Sequence, residues 1–390
     1  MMIKNTLPFC LLAGLFCYAG CAHKNDVEPD DIAENQLYEF LLHAGFTEKN
    51  ISECADNYVL DNDWVISKDE VRRQMNGNNN LAALPPTPSP GVEDRQRVSG
   101  TTVISMDNVQ NINVYVDPSM ANVGGVDYRP WINVALSRWE GSASGTKIHF
   151  VTVPNHSDAD LTIIRNNAGA SVSNPALPAC MTTAGWPGSN PAAVSKLPAS
   201  GNAGRFISIR FDYGAASNAA RVALLMHEIG HTLGFRHNNS GGEGNTSPCG
   251  DILQNILLTG TPDNDPSSVM VTPVSSSNTN ISANDQLAAR LLYPPSYYTP
   301  TILSVTQYSP TLNKVTISGA ISPYYYRVVL EVSRVSDGAI ISTNSWNAVN
   351  NFEYPIFRPT SPGSYRVRLY GVNYGADFQS AWSSYFGFTI

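Results

Sequence analysis

Three of the chain's seven histidines fall within eleven residues, in His227-Glu228-Ile229-Gly230-His231-Thr232-Leu233-Gly234-Phe235-Arg236-His237. On a helix, His227 and His231 are four apart and project from one face as neighbours. Two neutral imidazoles at that spacing can chelate Zn²⁺, and a third histidine leaves the fourth position open for water. Gly234 permits a positive φ, which ends the helix and lets His237 swing back as that third ligand. Glu228 lies beside the ligands, where it can deprotonate a metal-bound water and act as general base. Burying three His and a Glu without a metal would be costly. The pattern therefore points to hydrolysis by metal-activated water.

The elements that must position these groups are legible around them. Ser217 is an N-cap for a helix over residues 218–233 whose residues are apolar nearly all round, so the helix is central and buried. Residues 128–140 carry Trp131, Val134, Ala135 and Trp139 at helical spacing, and residues 282–292 give one more helix. Strands are expected at 111–116, 147–153, 159–165 and 206–211, with a long Gly/Ala/Pro/Ser loop region over 169–204. These make an α+β domain over 100–296, a twisted sheet plus the active-site helix. After Pro300 the chain turns all-β, with seven short candidate strands separated by turn signals. Their number and spacing predict an immunoglobulin- or fibronectin-like sandwich over 299–390.

The histidine motif resembles that of the metzincins, and its His-Glu-Ile-Gly-His core resembles the dual-action HEIGH metallopeptidases of bacteria. Gly260-Thr261-Pro262 followed by Asp265-Pro266-Ser267-Ser268-Val269-Met270 resembles that family's approach to the Met-turn, and Leu291-Leu292-Tyr293-Pro294 resembles the end of its closing helix. The resemblance implies a metzincin-like peptidase with one catalytic zinc ion and a peptide or protein substrate. It also implies that Met270 forms an apolar floor beneath the metal. Two departures stand out: Thr272 occupies the position where several metzincins have a Tyr, and Asn238-Asn239 supply no acidic residue after the third histidine. Substrate is expected to lie extended along an edge strand, for which 179–186 is the candidate. His23, His43, His149 and His156 are expected on the surface or in packing.

A chain this low in charge and rich in Tyr, Ser and Asn is expected outside the cytoplasm. Of 390 residues only 14% are charged, and Gly (29) and Pro (26) are plentiful, which excludes coiled coils and highly charged disordered chains. A net charge of −8 gives no footprint for nucleic acid. Lys4 and the apolar run 7–18 read as a signal segment, over residues 1–20, too short to span a bilayer. Tyr18-Ala19-Gly20-Cys21 resembles a bacterial lipobox, with Cys21 as the lipidated residue and Tyr18 a departure from the usual aliphatic. An ordinary secretory cut near Ala19 or Gly20 is the alternative. The protein is thus expected to be secreted or an outer-membrane lipoprotein, held at the membrane only through the lipid on Cys21.

Residues 21–99 read as an acidic prosegment and Pro-rich linker: between 22 and 99 there are 15 acidic and 7 basic side chains. Residues 58–67 read as a hairpin turning at 61–63, and Asp94-Arg95-Gln96-Arg97 offers an exposed basic site for processing, which would also release the enzyme from its anchor. Gly45-Phe46 through Ile51, and Tyr58 to Trp64, resemble the leader of the HEIGH family. Such a leader can keep the enzyme latent by filling the open zinc position. Pairing Cys180 with Cys249, both in the expected peptidase domain, leaves Cys54 as a free thiol and a latency candidate. Asp63, which matches an acidic position of the family leader, is the rival. The competing functional class is a surface binding or adhesion protein with an inert or structural zinc domain, against which an intact Glu228 argues. The sandwich is either a spacer or a module for a glycan or protein ligand.

Overall fold

The computed structural model describes residues 33–43, 46–61, 63–77, 97–99, 103–166, 192–214, 217–238, 255–258, 261, 265–295, 300–307, 314–320, 327–347, 351–357, 361–372, 380 and 382–389. Cys21, Cys180, Cys249, the Pro-rich linker and the candidate edge 179–186 lie outside these residues.

The N-terminal segment, called the leader only for its place in the chain, begins with α1 (Glu34–His43), whose Leu37 and Leu41 are one turn apart and fully buried. Three short strands follow as an antiparallel meander: β1 (Ile51–Cys54), β2 (Asn57–Leu60) and β3 (Trp64–Ser67). The expected hairpin is present, and its turn starts at Asp61 with φ +53°. Helix α2 (Lys68–Gly77) closes the unit. The Lys68 ammonium joins α1, β1 and α2 by pairing with Glu34 at 3.0 Å and with Glu53. Phe46, Ile51, Tyr58, Leu60, Trp64, Ile66 and Val71 complete a core with Leu37 and Leu41, to which the rest of the chain contributes Leu197.

The peptidase region runs through β4 (Arg97–Ser99), β5 (Ile112–Val116), α3 (Arg129–Trp139), β6 (Phe150–Thr152), β7 (Leu161–Asn166), β8 (Ala193–Lys196), β9 (Phe206–Arg210), α4 (Asn218–Thr232), β10 (Phe235–Arg236), β11 (Asn255–Leu257) and α5 (Ala283–Leu292). Strands β5, β6, β7 and β9 are mutually parallel, and β8 runs antiparallel to β9. The leader meander continues this same sheet through β3, which pairs parallel with β8. The resulting order is β1-β2-β3-β8-β9-β7-β5-β6. The acidic segment is chemically distinct, yet structurally it is three strands of one eight-stranded sheet. Strand β8 sits inside the stretch expected to be loop. A smaller sheet seats β4 between β10 and β11.

Helix α4 is capped by Ser217 Oγ, which accepts from Ala220 N at 3.2 Å, and every residue from Arg221 to Thr232 is buried. It crosses α3, where Trp139 Nε1 donates to the Met226 carbonyl at 2.9 Å.

From Pro300 onward, seven strands among the described residues form two sheets. One contains β12 (Thr301–Gln307), β13 (Lys314–Ala320) and β16 (Asn351–Phe357). The other contains β14 (Arg327–Arg334), β15 (Ile340–Asn347), β17 (Ser364–Val372) and β18 (Phe386–Thr389). Ile317 of the first sheet shares a core with Val328, Leu330, Val332, Val367 and Leu369 of the second. Val329 and Val372 instead join the main core of the peptidase region. No helix among the described residues is long and apolar enough to cross a membrane.

Candidate metal centre

Helix α4 presents His227 and His231 one turn apart, with ring centroids 4.7 Å from each other. The helix stops at Thr232, and Gly234, at φ +98°, turns the chain into β10. Phe235 stacks on Trp139 at 5.2 Å and so anchors the turn, after which His237 returns to the helix with its ring 5.0 Å from each of the other two. The Nε2 of His227 lies 3.2 Å from that of His231 and 3.1 Å from that of His237.

The outer nitrogens fix which face each ring turns inward. His227 Nδ1 donates to the Val269 carbonyl at 2.7 Å, and His231 Nδ1 donates to the Phe235 carbonyl at 2.8 Å. Their Nε2 lone pairs therefore converge, as a metal site requires. Burial presses His231 down to about 4, so its imidazole is neutral and available as a ligand.

The fourth group comes from the leader. Asp63 Oδ2 lies 3.0 Å from His227 Nε2, 2.8 Å from His231 Nε2 and 2.5 Å from His237 Nε2. Burial opposes ionisation of Asp63, but the facing His227 and His231 rings hold its carboxyl well below the usual range. The four donor atoms lie within 4.8 Å of one another and make a group that can hold a metal ion. Tetrahedral zinc, with bonds of about 2.0–2.2 Å, places its ligand atoms roughly 3.4 Å apart. Three imidazoles and one carboxylate gathered this closely are the donor types that ion takes.

Glu228 is completely buried, and neither of its carboxylate oxygens accepts a hydrogen bond among the described residues. Burial first, and the adjacent Asp63 carboxylate second, push its carboxyl well above the ordinary range. Met270 is also fully buried. It lies against α4 so closely that a Cβ on Gly230 would sit 2.3 Å from its Sδ.

Two residues of this neighbourhood are not visible in the motif. Asp285 accepts from Ser268 Oγ (2.6 Å), Val269 N (3.0 Å) and Ser282 N (2.9 Å), holding the loop whose carbonyl orients His227. The spacing Ser282-x-x-Asp285 is a capping-box signal that marks this acid. Arg236, fully buried beside His237, turns its guanidinium onto the Trp64 ring at 4.1 Å.

Cys54 requires a correction. It is disulfide-bonded, and its partner cysteine lies outside the described residues. Its side chain packs with Val59, Val65, Ile164, Val194 and Phe206. It therefore offers no thiol to a metal, and the count that left it unpaired does not hold. Of the other histidines, His149 pairs with Glu140 at 2.6 Å and His156 packs on Tyr115 at 5.7 Å. His43 ends α1, and His23 lies outside the described residues.

The family profile described as dual-action HEIGH metallo-peptidase matches residues 97–293. No curated protein matches the sequence. Among solved structures, one of myroilysin is 13% identical, covers 49% of this chain and 85% of its own, and has a TM-score of 0.29. Wild-type OgpA from Akkermansia muciniphila is 12% identical, covering 78% of this chain and 97% of its own at a TM-score of 0.24. The chicken interferon gamma receptor alpha chain is 10% identical, with 24% of this chain and 50% of the receptor chain covered at a TM-score of 0.20.

Proposed function

The chain belongs to the dual-action HEIGH metallo-peptidase family, and we propose that it is a metzincin-type zinc endopeptidase held latent by its own leader. One observation carries the reading: a leader carboxylate, Asp63 Oδ2, stands within 2.5–3.0 Å of all three His Nε2 atoms while Glu228 is sealed beside them.

His227, His231 and His237 would hold the zinc ion, and Met270 would floor the site. When bound, the ion supplies Lewis acidity that polarises the scissile carbonyl and acidifies water. Withdrawal of Asp63 clears the fourth position and opens Glu228 to the cleft. Glu228 then takes the proton of the attacking water and delivers it to the leaving amine. We assign the substrate edge to β8. Its outer side is occupied by the leader, with Ser195 N donating to the Asp63 carbonyl at 3.0 Å. The processing cut falls before β4, because Val98 pairs with Phe235 of β10 and keeps the His237 turn in place.

The apolar start of the chain and Cys21 support export and lipid attachment, so that the cut would also free the enzyme from its anchor. The C-terminal sheets read as an immunoglobulin- or fibronectin-like sandwich that serves as a spacer.

The test is zinc content and casein hydrolysis by protein processed near Arg97, beside Glu228→Ala. Activity in the wild type, with zinc kept and activity lost by at least about 10²-fold in the variant, supports the reading. Absence of zinc from the processed protein overturns it.

A further inference from the structure

The leader does more than place a carboxylate. Along β3, successive side chains leave on opposite faces. Val65 faces the sheet's packed side with Val194 and Phe206, whereas Trp64 faces the other way, over Arg236. Trp64 is the residue directly after Asp63, and its backbone is paired with Ser195 of β8. Arg236 is the residue directly before His237. Phe46, also from the leader, lies 5.9 Å from the same guanidinium. An arginine of the peptidase region, one residue from a metal-site histidine, is thus closed over by two leader aromatics.

We propose that Arg236 selects substrate. With the leader gone, its guanidinium forms one wall of a subsite that takes an aromatic side chain of a peptide laid along β8. The inference rests on the latent-peptidase reading, since it requires the leader to leave. Trp64 shows the fit: a side chain one position from the group at the metal, carried on a backbone paired to Ser195, stacks on Arg236. Arginine suits this role because its planar, weakly hydrated cation stacks flat on aromatic faces, whereas a lysine ammonium is a compact, strongly hydrated point charge. Arg236 is fully buried in the complete chain, with Trp64 and Phe46 of the leader among the groups against its guanidinium. The subsite is expected to prefer Trp, Tyr or Phe to Leu by about five- to thirtyfold in kcat/KM.

The experiment starts from the folded full-length chain with a specific protease site inserted in the Pro-rich linker. The chain is cleaved there with and without a reductant, because Cys54 is disulfide-bonded. Wild type, Arg236→Lys and Arg236→Met are compared on two matched peptide series differing only in one Trp or Leu near the scissile bond. Zinc content and casein turnover are measured on each sample. The expected result is a Trp-over-Leu ratio that falls towards one in both variants while zinc is retained. Casein turnover in the wild type together with an unchanged ratio in both variants overturns the assignment and leaves the peptidase reading standing. Should cleaved wild type fail on casein, the peptidase reading fails separately. The same peptides are then titrated by fluorescence polarisation, and equal affinity for the Trp and Leu series overturns the subsite as well. If both substitutions cost zinc, Trp64→Leu, introduced into the full-length chain and cleaved at the same linker site, decides. Unchanged leader retention after cleavage would show that the aromatic contact contributes nothing.

Discussion

Two β-rich appendages flank the peptidase region, and they attach in different ways. The leader meander joins the central sheet edge to edge: β3 pairs with β8, and Val59 and Val65 pack with Ile164, Val194 and Phe206. The C-terminal strands keep to their own two sheets and touch the peptidase core through Val329 and Val372. Sheet continuation delivers a backbone, and with it a side chain, to a position set by strand register. Face packing delivers only contact area. Hence the leader sets Asp63 among the three histidines, whereas none of the four metal-site donors comes from the C-terminal unit.

Removing the delivered group should break this contrast most sharply. Asp63→Ala in the uncleaved full-length chain is expected to raise hydrolysis of a quenched peptide by about 10²- to 10⁴-fold, since severing a buried ionic contact typically costs about 3–5 kcal/mol. Asp63→Asn keeps the shape but loses the charge and should fall between the two. No rise in either variant would mean that strand pairing alone blocks the cleft.

How far the sequence disclosed this arrangement depends on the range of each interaction. The histidine motif, the Ser217 cap and the Gly234 turn are local, so spacing alone located them. The hairpin was equally legible because Asp61 and Asp63 punctuate two apolar arms. Helix α2 was not, since Lys68-Asp69-Glu70-Val71-Arg72-Arg73 offers one core residue and no apolar period. Strand β8 hid between Pro191 and Pro198 in a loop-like composition. The pairing of Trp64 with Ser195 joins positions remote in sequence, and no local pattern encodes it. Cys54 was misjudged for a related reason: an odd count says that one cysteine is left over, and only packing says which.

The next contrast is between two cores. Trp64 is fully buried in the leader, and Trp64→Ala should destabilise that unit by about 3–5 kcal/mol, lifting activity of the uncleaved chain as the leader loosens. Leu330 is fully buried in the sandwich, and Leu330→Ala should cost a comparable 2–5 kcal/mol there. Activity of the uncleaved chain should not move. Hydrogen exchange on both variants would show which unit opens, and activity gained on loosening the sandwich would erase the distinction.

The smallest effect concerns the seam between sandwich and peptidase. Val372 is about 1% exposed and belongs to the peptidase's main core although it lies at the end of β17. Truncating it to Ala removes two methyl groups from that shared core, a loss of about 1–2 kcal/mol. If the sandwich were tethered without packing, the cost would fall on the sandwich transition alone. Because Val372 and Val329 pack with the peptidase, Val372→Ala should instead lower the peptidase transition by a few degrees in calorimetry of the full chain. Latency should be untouched, because the side chains of β3 pack in other cores than Val372 does and Asp63 is held by the three histidines. A peptidase transition that stays in place would reduce the C-terminal unit to a spacer joined by chain connectivity, and would make the contrast with the leader sharper still.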